Sequence, residues 1–558
     1  MKNILTDAAL ACAFALTFGA THAAPQTRVP TSSRLDSTQI IAWRQDLHFL
    51  ATEMERRHRN LYHTISKPSF DNAVAELHGR IPTLARHQVI VEMARIVALV
   101  QDGHTNIAPT RDPKVGFTML PIRLYFFKDG LFVRAAYRSR AELAGSRVVR
   151  IGTLTPDQAY ARVREMVGRD NEMDARFFAP FLLAMPEVLH ALGITSTPDE
   201  ADFVLERDGR RKTVRFRPLG PAPMMPSDTD VSWWPDSSWI DMRMGGAPPL
   251  WLRENPLNQY WLEWVSSERL IYVQYNKVGN KDDESLGQFS LRLRALIDSA
   301  PVDRVVLDLR LNRGGDGTLN RPLLLSLIKA AKLEARGKLF VLIGRSTFSA
   351  AQFLVNELEQ YTDAVFVGEP SGGKVNSYGD SRKISLPNSG LTVRVSTLWW
   401  QEDPRDRRQW RAPDIAAELT SADYRANVDP AMKAVLDYHP EPPVAERMAE
   451  ALSKGGVSEA VRVYRQYRAD PRHAYADEEA ALNSLGYQLL GEGRHELAIA
   501  VLELNASEHP ESPNVYDSLG EAYHEAGRRD LAIRNYTRAL QLDSSNANAR
   551  SMLEQLRQ

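Results

Sequence analysis

The chain has one cysteine, Cys12, in 558 residues. That excludes an intramolecular disulfide scaffold and a zinc site built on several thiolates. Charge bias is also missing: 69 basic and 70 acidic side chains leave a formal net charge of −1. A chain drawn to nucleic acid or to an anionic membrane by its overall field would carry an excess of basic residues, so neither partner is expected. The apolar stretch at 8–20 falls short of the ~20 residues that span a bilayer, and no stable membrane anchor is expected. Otherwise the composition is that of a globular protein, 43% hydrophobic and 25% charged. This excludes a wholly disordered or collagen-like chain, and the length corresponds to about three or four domains.

Lys2, the apolar stretch and the small residues Ala23 and Ala24 read as a cleavable secretory signal over residues 1–23. A Pro-, Ser- and Thr-rich linker follows over 24–35. The expectation is an exported protein, periplasmic or extracellular. Removing the signal removes Cys12, and a thiol-free mature chain suits an oxidising compartment. Any nucleophile must then be something other than a thiol.

From residue 36 to 112 the pattern is helical: Trp43, Leu47, Leu50 and Met54 recur at spacings of three and four, as do Val89, Met93, Val97 and Val100. This region ends at Asp102-Gly103-His104-Thr105. Residues 115–220 alternate as strands, with a hairpin turn at Arg207-Asp208-Gly209. Residues 221–262 form a Trp- and Pro-rich connection. Over 263–440, continuous apolar runs at 270–275, 302–309, 339–343 and 364–367 are separated by helical stretches, which predicts a largely parallel sheet covered on both faces. Residues 441–558 are helical. Here 481–514 aligns with 515–548 at a period of 34, Leu485-Gly486 with Leu519-Gly520 and Gly493 with Gly527, which is the tetratricopeptide repeat signature. So few repeats stand alone poorly, and the tail is expected to dock on the preceding domain.

Three loops follow the apolar runs. Arg310 to Gly317 holds Gly314 and Gly315, whose flexibility turns the backbone sharply and offers N–H groups to an anion; a plain turn is the other reading. Ser349 stands at a strand-to-helix turn, where it is either a helix cap or a nucleophile beside N–H groups that bind an oxyanion. Gly372-Gly373-Lys374 follows the next run. A lysine in an apolar setting can serve as general base for a serine, and otherwise it is a solvated loop residue. His104 is the other base candidate, with a structural capped histidine as its alternative.

Asp102-Gly103-His104-Thr105, Asp308-Leu309-Arg310 through Gly314-Gly315, Phe348-Ser349-Ala350-Ala351, Gly368-Glu369 through Gly373-Lys374, Ala412-Pro413-Asp414-Ile415 and Asp429-Pro430 resemble, in order, the motifs of the tail-specific (C-terminal processing) and tricorn core serine peptidase family. The resemblance covers roughly residues 36–440. It implies a crotonase-like α/β core over 263–440, the N-terminal helical region and a PDZ-like module over 115–220, which with the repeat tail make a multidomain α/β protein. It implies an exported serine peptidase acting through an acyl-enzyme on peptide or protein substrates, with no cofactor and no metal. By analogy with the tail-specific branch, Ser349 pairs with Lys374. The tricorn branch instead maps onto His104, with Asp406 as orienting acid. Gly315 and Ala350 correspond to the oxyanion amides. Relatives that carry retinoids imply an alternative, a non-catalytic ligand- or protein-binding protein on the same fold. The repeats suggest a protein partner, or an adaptor role as a third possibility.

Overall fold

The computed structural model describes residues 34–109, 112–221 and 231–557; the signal, Cys12 and most of the linker lie outside them. It is a mixed α/β protein of several parts, and among the described residues no helix is long and apolar enough to cross a membrane.

The N-terminal part is helical over Ser37–Arg57, Lys67–Arg80 and Arg86–Ala98. The first helix starts on a reciprocal cap in which the Gln39 N–H donates to Asp36 Oδ1 at 2.8 Å and the Asp36 N–H to Gln39 Oε1 at 3.0 Å. The third is buried nearly all round, through Val89, Ile90, Val91, Met93 and Ala94, as expected of a helix at the centre of a core. Its chain turns at Gln101, in the left-handed region at φ 54°, and runs into Asp102-Gly103-His104.

An antiparallel sheet follows, in the order Ile122–Phe127, Gly130–Tyr137, Arg147–Ile151, Ala201–Arg207 and Arg210–Phe216, with Trp239–Asp241 also on Gly130–Tyr137. The hairpin expected at Arg207-Asp208-Gly209 joins its last two strands, with Asp208 at φ 52° and Gly209 at φ 73°.

The second sheet has the order Ile415–Ala416, Val365–Gly368, Leu339–Ile343, Arg304–Asp308, Leu270–Tyr275 and Tyr260–Val265. Four of its pairings are parallel and the last is antiparallel. Leu270–Tyr275, Leu339–Ile343 and Val365–Gly368 are buried at every position, because both faces are covered. Helices Leu286–Ser299 and Ala350–Tyr361 pack on one face, around Ile271, Val341, Leu293 and Leu354. Helix Pro430–Leu436 packs on the other, against Tyr272, Phe340 and Leu342. The parallel order brings the loops after Arg304–Asp308, Leu339–Ile343 and Val365–Gly368 to one sheet edge, where α/β proteins hold their ligands.

An excursion from this part, residues 377–400, joins it to the N-terminal helices. Its buried Ile384, Leu391, Val393 and Val395 belong to the same apolar cluster as Val97, Val100 and Ile107. Asn106 and Arg394 exchange main-chain hydrogen bonds of 3.1 and 2.9 Å, so the Asp102–Asn106 turn is clamped to the second sheet's part.

The tail is helical over Val444–Ala469, Glu478–Gly491, His495–Glu508, Pro513–Glu525, Arg529–Leu542 and Ala547–Arg557. The expected docking occurs at the edge of the parallel sheet, where the turn Pro471–His473 packs beside strand Ile415–Ala416.

Candidate active site

Ser349 begins helix Ala350–Tyr361 at φ 55° and ψ −127°, a conformation a non-glycine residue holds only when its surroundings impose it. Gly314 helps to impose it: a Cβ there would stand 2.7 Å from Ser349 Cβ and 2.8 Å from the Ala350 nitrogen. The Phe348 N–H donates to the Asn312 carbonyl at 3.1 Å, tying the two loops together. Ser349 is in the cap position, yet its hydroxyl makes no capping hydrogen bond. It lies 2.9 Å from His104 Nε2, across 245 residues of sequence.

The His104 ring is held from several sides. Its main-chain N–H donates to Asp102 Oδ1 at 2.8 Å. Phe348 stacks on the ring with centroids 4.6 Å apart. Gly103 is required by the same packing, since a Cβ at that residue would meet the Phe348 ring at 2.7 Å. Burial lowers the His104 pKa, opposed by the Asp102 carboxylate and assisted by the Arg313 cation; the Asp380 carboxylate and the Tyr378 main chain act upward.

Beneath the ring lies a buried polar network that the sequence pattern does not reveal beyond Asp102 itself. Asp102 Oδ2 accepts the Thr105 hydroxyl at 2.6 Å and lies 3.1 Å from His58 Nε2. His58 Nδ1 accepts the Asn60 N–H at 3.0 Å, so Nε2 carries the ring proton and donates to Asp102. Burial raises the Asp102 pKa, but the hydrogen bond from His58, the His104 charge and the hydroxyls of Ser396 and Thr105 outweigh it, and the net shift is downward. Asp170 accepts from the main-chain N–H of Gly103 at 2.8 Å and of Lys374 at 3.4 Å. Its pKa is raised to about 7 by burial and by the neighbouring Asp102, while Lys374 acts the other way. Arg313 pairs with Asp174 at 2.9 Å and lies over Phe177 and Phe348, at 4.1 and 4.9 Å from their ring centroids. No sequence signal marks His58 or Asp170, which lie 44 and 68 residues from Asp102 in the chain.

The geometry chooses between the two base candidates and differs from the expected place of Asp406. Among the described residues, Ser349 is hydrogen-bonded to His104 and not to Lys374. The Gly372-Gly373 turn packs so tightly under the Ser349 loop that a Cβ on Gly372 would lie 2.3 Å from the Arg345 carbonyl oxygen. It leads the Lys374 main chain onto Asp170, and the Lys374 charge acts on Asp170 and His63. Asp406 does not reach His104. Its carboxylate is held by Arg408 at 2.7 Å, which also pairs with Glu359 at 2.8 Å, on the outer side of the nucleophile helix.

The Gly315 and Ala350 N–H groups flank the Gly314 and Ser349 positions in the chain, and neither has a hydrogen-bond partner among the described residues. Gly315 has φ 145°, and a Cβ on it would fall 1.9 Å from the Val278 carbonyl oxygen. The remaining motif residues are structural. Arg310 bridges Asp308 and Asp429 through contacts of 2.6 and 2.8 Å. Arg345 grips Glu369 with two hydrogen bonds of 2.8 and 2.6 Å. Asp414 accepts the Phe366 N–H at 3.0 Å and orders the sheet edge. Among the described residues no cluster of three or more His, Cys, Asp or Glu side chains is arranged to hold a metal ion.

No protein-family model and no curated protein matches the chain. Among solved structures, mature CPAF in complex with lactacystin is similar at 13% identity, over 71% of this chain and 99% of that one, with a TM-score of 0.49. The photosystem II D1 C-terminal processing protease is similar at 14% identity, over 68% and 93%, with a TM-score of 0.32. The first TPR of Spaghetti (RPAP3) bound to an HSP90 peptide is similar at 17% identity, over 20% of this chain and 87% of that one, with a TM-score of 0.16.

Proposed function

We propose that the chain is a serine peptidase that hydrolyses peptide bonds through an acyl-enzyme on Ser349, with His104 as its general base. The observation that carries this reading is the 2.9 Å contact between His104 Nε2 and the hydroxyl of a serine held at positive φ, with its capping bond forgone. With Nε2 accepting the hydroxyl proton, Ser349 Oγ attacks the substrate carbonyl. The developing oxyanion lies between the Gly315 and Ala350 N–H groups at the positive end of helix Ala350–Tyr361. His104 then returns its proton to the leaving amine, and water, deprotonated by the same ring, resolves the ester.

The wider reading follows the resemblance to tail-specific peptidases: a crotonase-like core, a PDZ-like module at 115–220 to hold substrate, a tetratricopeptide tail to hold a protein partner, and export directed by residues 1–23. The tail reading is supported by equivalent close contacts 34 residues apart. Added Cβ atoms at Gly486 and Gly520 would meet Leu502 at 2.6 Å and Tyr536 at 3.0 Å.

The test is labelling by a fluorophosphonate probe together with cleavage of an unfolded protein. Ser349→Ala is expected to abolish both. His104→Ala is expected to lower kcat/KM by about 10²–10⁴-fold, and Lys374→Ala by less than about tenfold, the scale of a lost charge at short range. Probe labelling that survives Ser349→Ala sinks the enzyme reading. Full activity in His104→Ala with none in Lys374→Ala returns the base to Lys374.

A further inference from the structure

A two-stranded ribbon, Ser377–Gly379 paired antiparallel with Leu398–Trp400, lies between the base and the nucleophile helix. On one side the Tyr378 main chain acts on the His104 ring, and the Tyr378 side chain packs on His63 with centroids 4.4 Å apart. On the other side Trp400 lies 5.5 Å from the ring of Phe353. Phe353 is the first residue of the nucleophile helix to bond back to Ser349, its N–H donating to the Ser349 carbonyl at 3.2 Å. The Phe353 ring also lies 3.5 Å from the position a Cβ would take on Gly317, two residues past Gly315. The ribbon therefore touches the nucleophile helix, through Phe353, and bears on the base.

Its outer strand is apolar and uncovered. Leu398 and Trp400, on one face of the strand, are 46% and 41% exposed, while Trp399, on the other face, packs on Tyr378 with centroids 4.5 Å apart. The Trp400 indole lies over Gly379, where a Cβ would meet it at 3.1 Å, and its N–H donates to Asp380 at 2.7 Å. The indole is thus held in place while 41% exposed, and the Phe353 ring it packs on belongs to a residue one helical turn from Ser349.

We infer that the Leu398–Trp400 strand, with Trp400 as its anchor, is a subsite that takes an aromatic or large aliphatic side chain of the substrate within about three residues of the scissile bond. The occupant is the peptide itself, because the surface is continuous with the nucleophile helix, and an aromatic face gains most by covering another apolar group. The inference rests on the peptidase reading.

The test maps cleavage sites in an unfolded protein by mass spectrometry, then measures kcat/KM for peptides carrying Phe or Gly at the preferred position. The wild type is expected to favour Phe by at least tenfold. Trp400→Ala is expected to reduce that ratio to near one, and Trp400→Phe, which keeps an aromatic ring but lacks the N–H bonded to Asp380, to retain it within about threefold. A wild-type ratio near one, or equal ratios in the wild type and Trp400→Ala, overturns the subsite. So does a dimer by light scattering that Trp400→Ala converts to monomer, since a second copy would then cover the strand. If the wild type is not labelled at Ser349 by a fluorophosphonate, the peptidase reading has failed instead; labelling without a side-chain preference sinks the subsite alone.

Discussion

At the scale of single residues, burial and a forgone helix cap set the chemistry of the site. Ser349 gives up its cap, and the buried His104 ring is reached by the Asp102 carboxylate and the Tyr378 main chain. Burial favours the neutral ring, which is the form that accepts the Ser349 proton. This gives a pH profile with a definite sign. The folded pKa of His104 lies below the ordinary histidine value, so the ring stays neutral as pH falls through about 6.5 and gains its proton only lower down. The acid limb of kcat/KM between pH 4 and 9 is therefore expected below 6.5; a limb centred above 7 contradicts the burial argument. Asp170 behaves oppositely, for the same reason. It is a buried carboxyl beside a second one, with its pKa raised to about 7. It holds more protons in the fold than in the open chain and favours the folded state most at low pH, an advantage lost as pH rises towards 7.

At the scale of elements, close approach of backbones decides what is allowed. In the tail, glycines 34 residues apart let paired helices touch. Gly486 faces Leu502 and Gly520 faces Tyr536, and both partners are fully buried. Gly486→Ala would drive a methyl group to within 2.6 Å of Leu502. The expected cost is about 1–3 kcal/mol, the range for overpacking a filled core. The effect should appear in calorimetry as a lower transition for the tail, with the rest of the protein unaltered. An unshifted tail transition would mean that the helices separate at little cost. The glycines of the three site loops act in the same way. Gly314 and Gly372 are placed by contact distances that no side chain could share.

At the scale of the whole molecule, the parts are coupled through charged side chains under the site. Arg345, in the loop that carries Ser349, is paired with Glu369, and the Tyr475 phenol at the foot of the tail bears on Glu418 and Glu369. The turn Pro471–His473 beside Tyr475 also covers the edge strand Ile415–Ala416, which would otherwise be open to pairing. Tyr475→Ala is expected to speed amide exchange at 412–420 and 366–374 by at least tenfold, with little change in helices Pro513–Glu525 and Arg529–Leu542. Faster exchange confined to the tail would show that this contact does not brace the sheet.

Much of this was legible from the chain alone, for local reasons. Apolar residues at spacings of three and four, continuous apolar strands and glycines at sheet ends depend on neighbours a few residues apart. They marked the helices of the N-terminal part and the parallel sheet, and they supplied the loop serine as a candidate. The identity of the group touching Ser349 depended on something else. Lys374 is 25 residues from Ser349 and His104 is 245 residues away. The nearer residue loses the contact because a glycine turn leads its main chain onto Asp170. The distant one gains it because the 377–400 excursion clamps the Asp102–Asn106 turn through Arg394, Ser396 and a shared apolar cluster. Motif order supplied the candidates, and the choice between them required packing between segments that no local periodicity encodes.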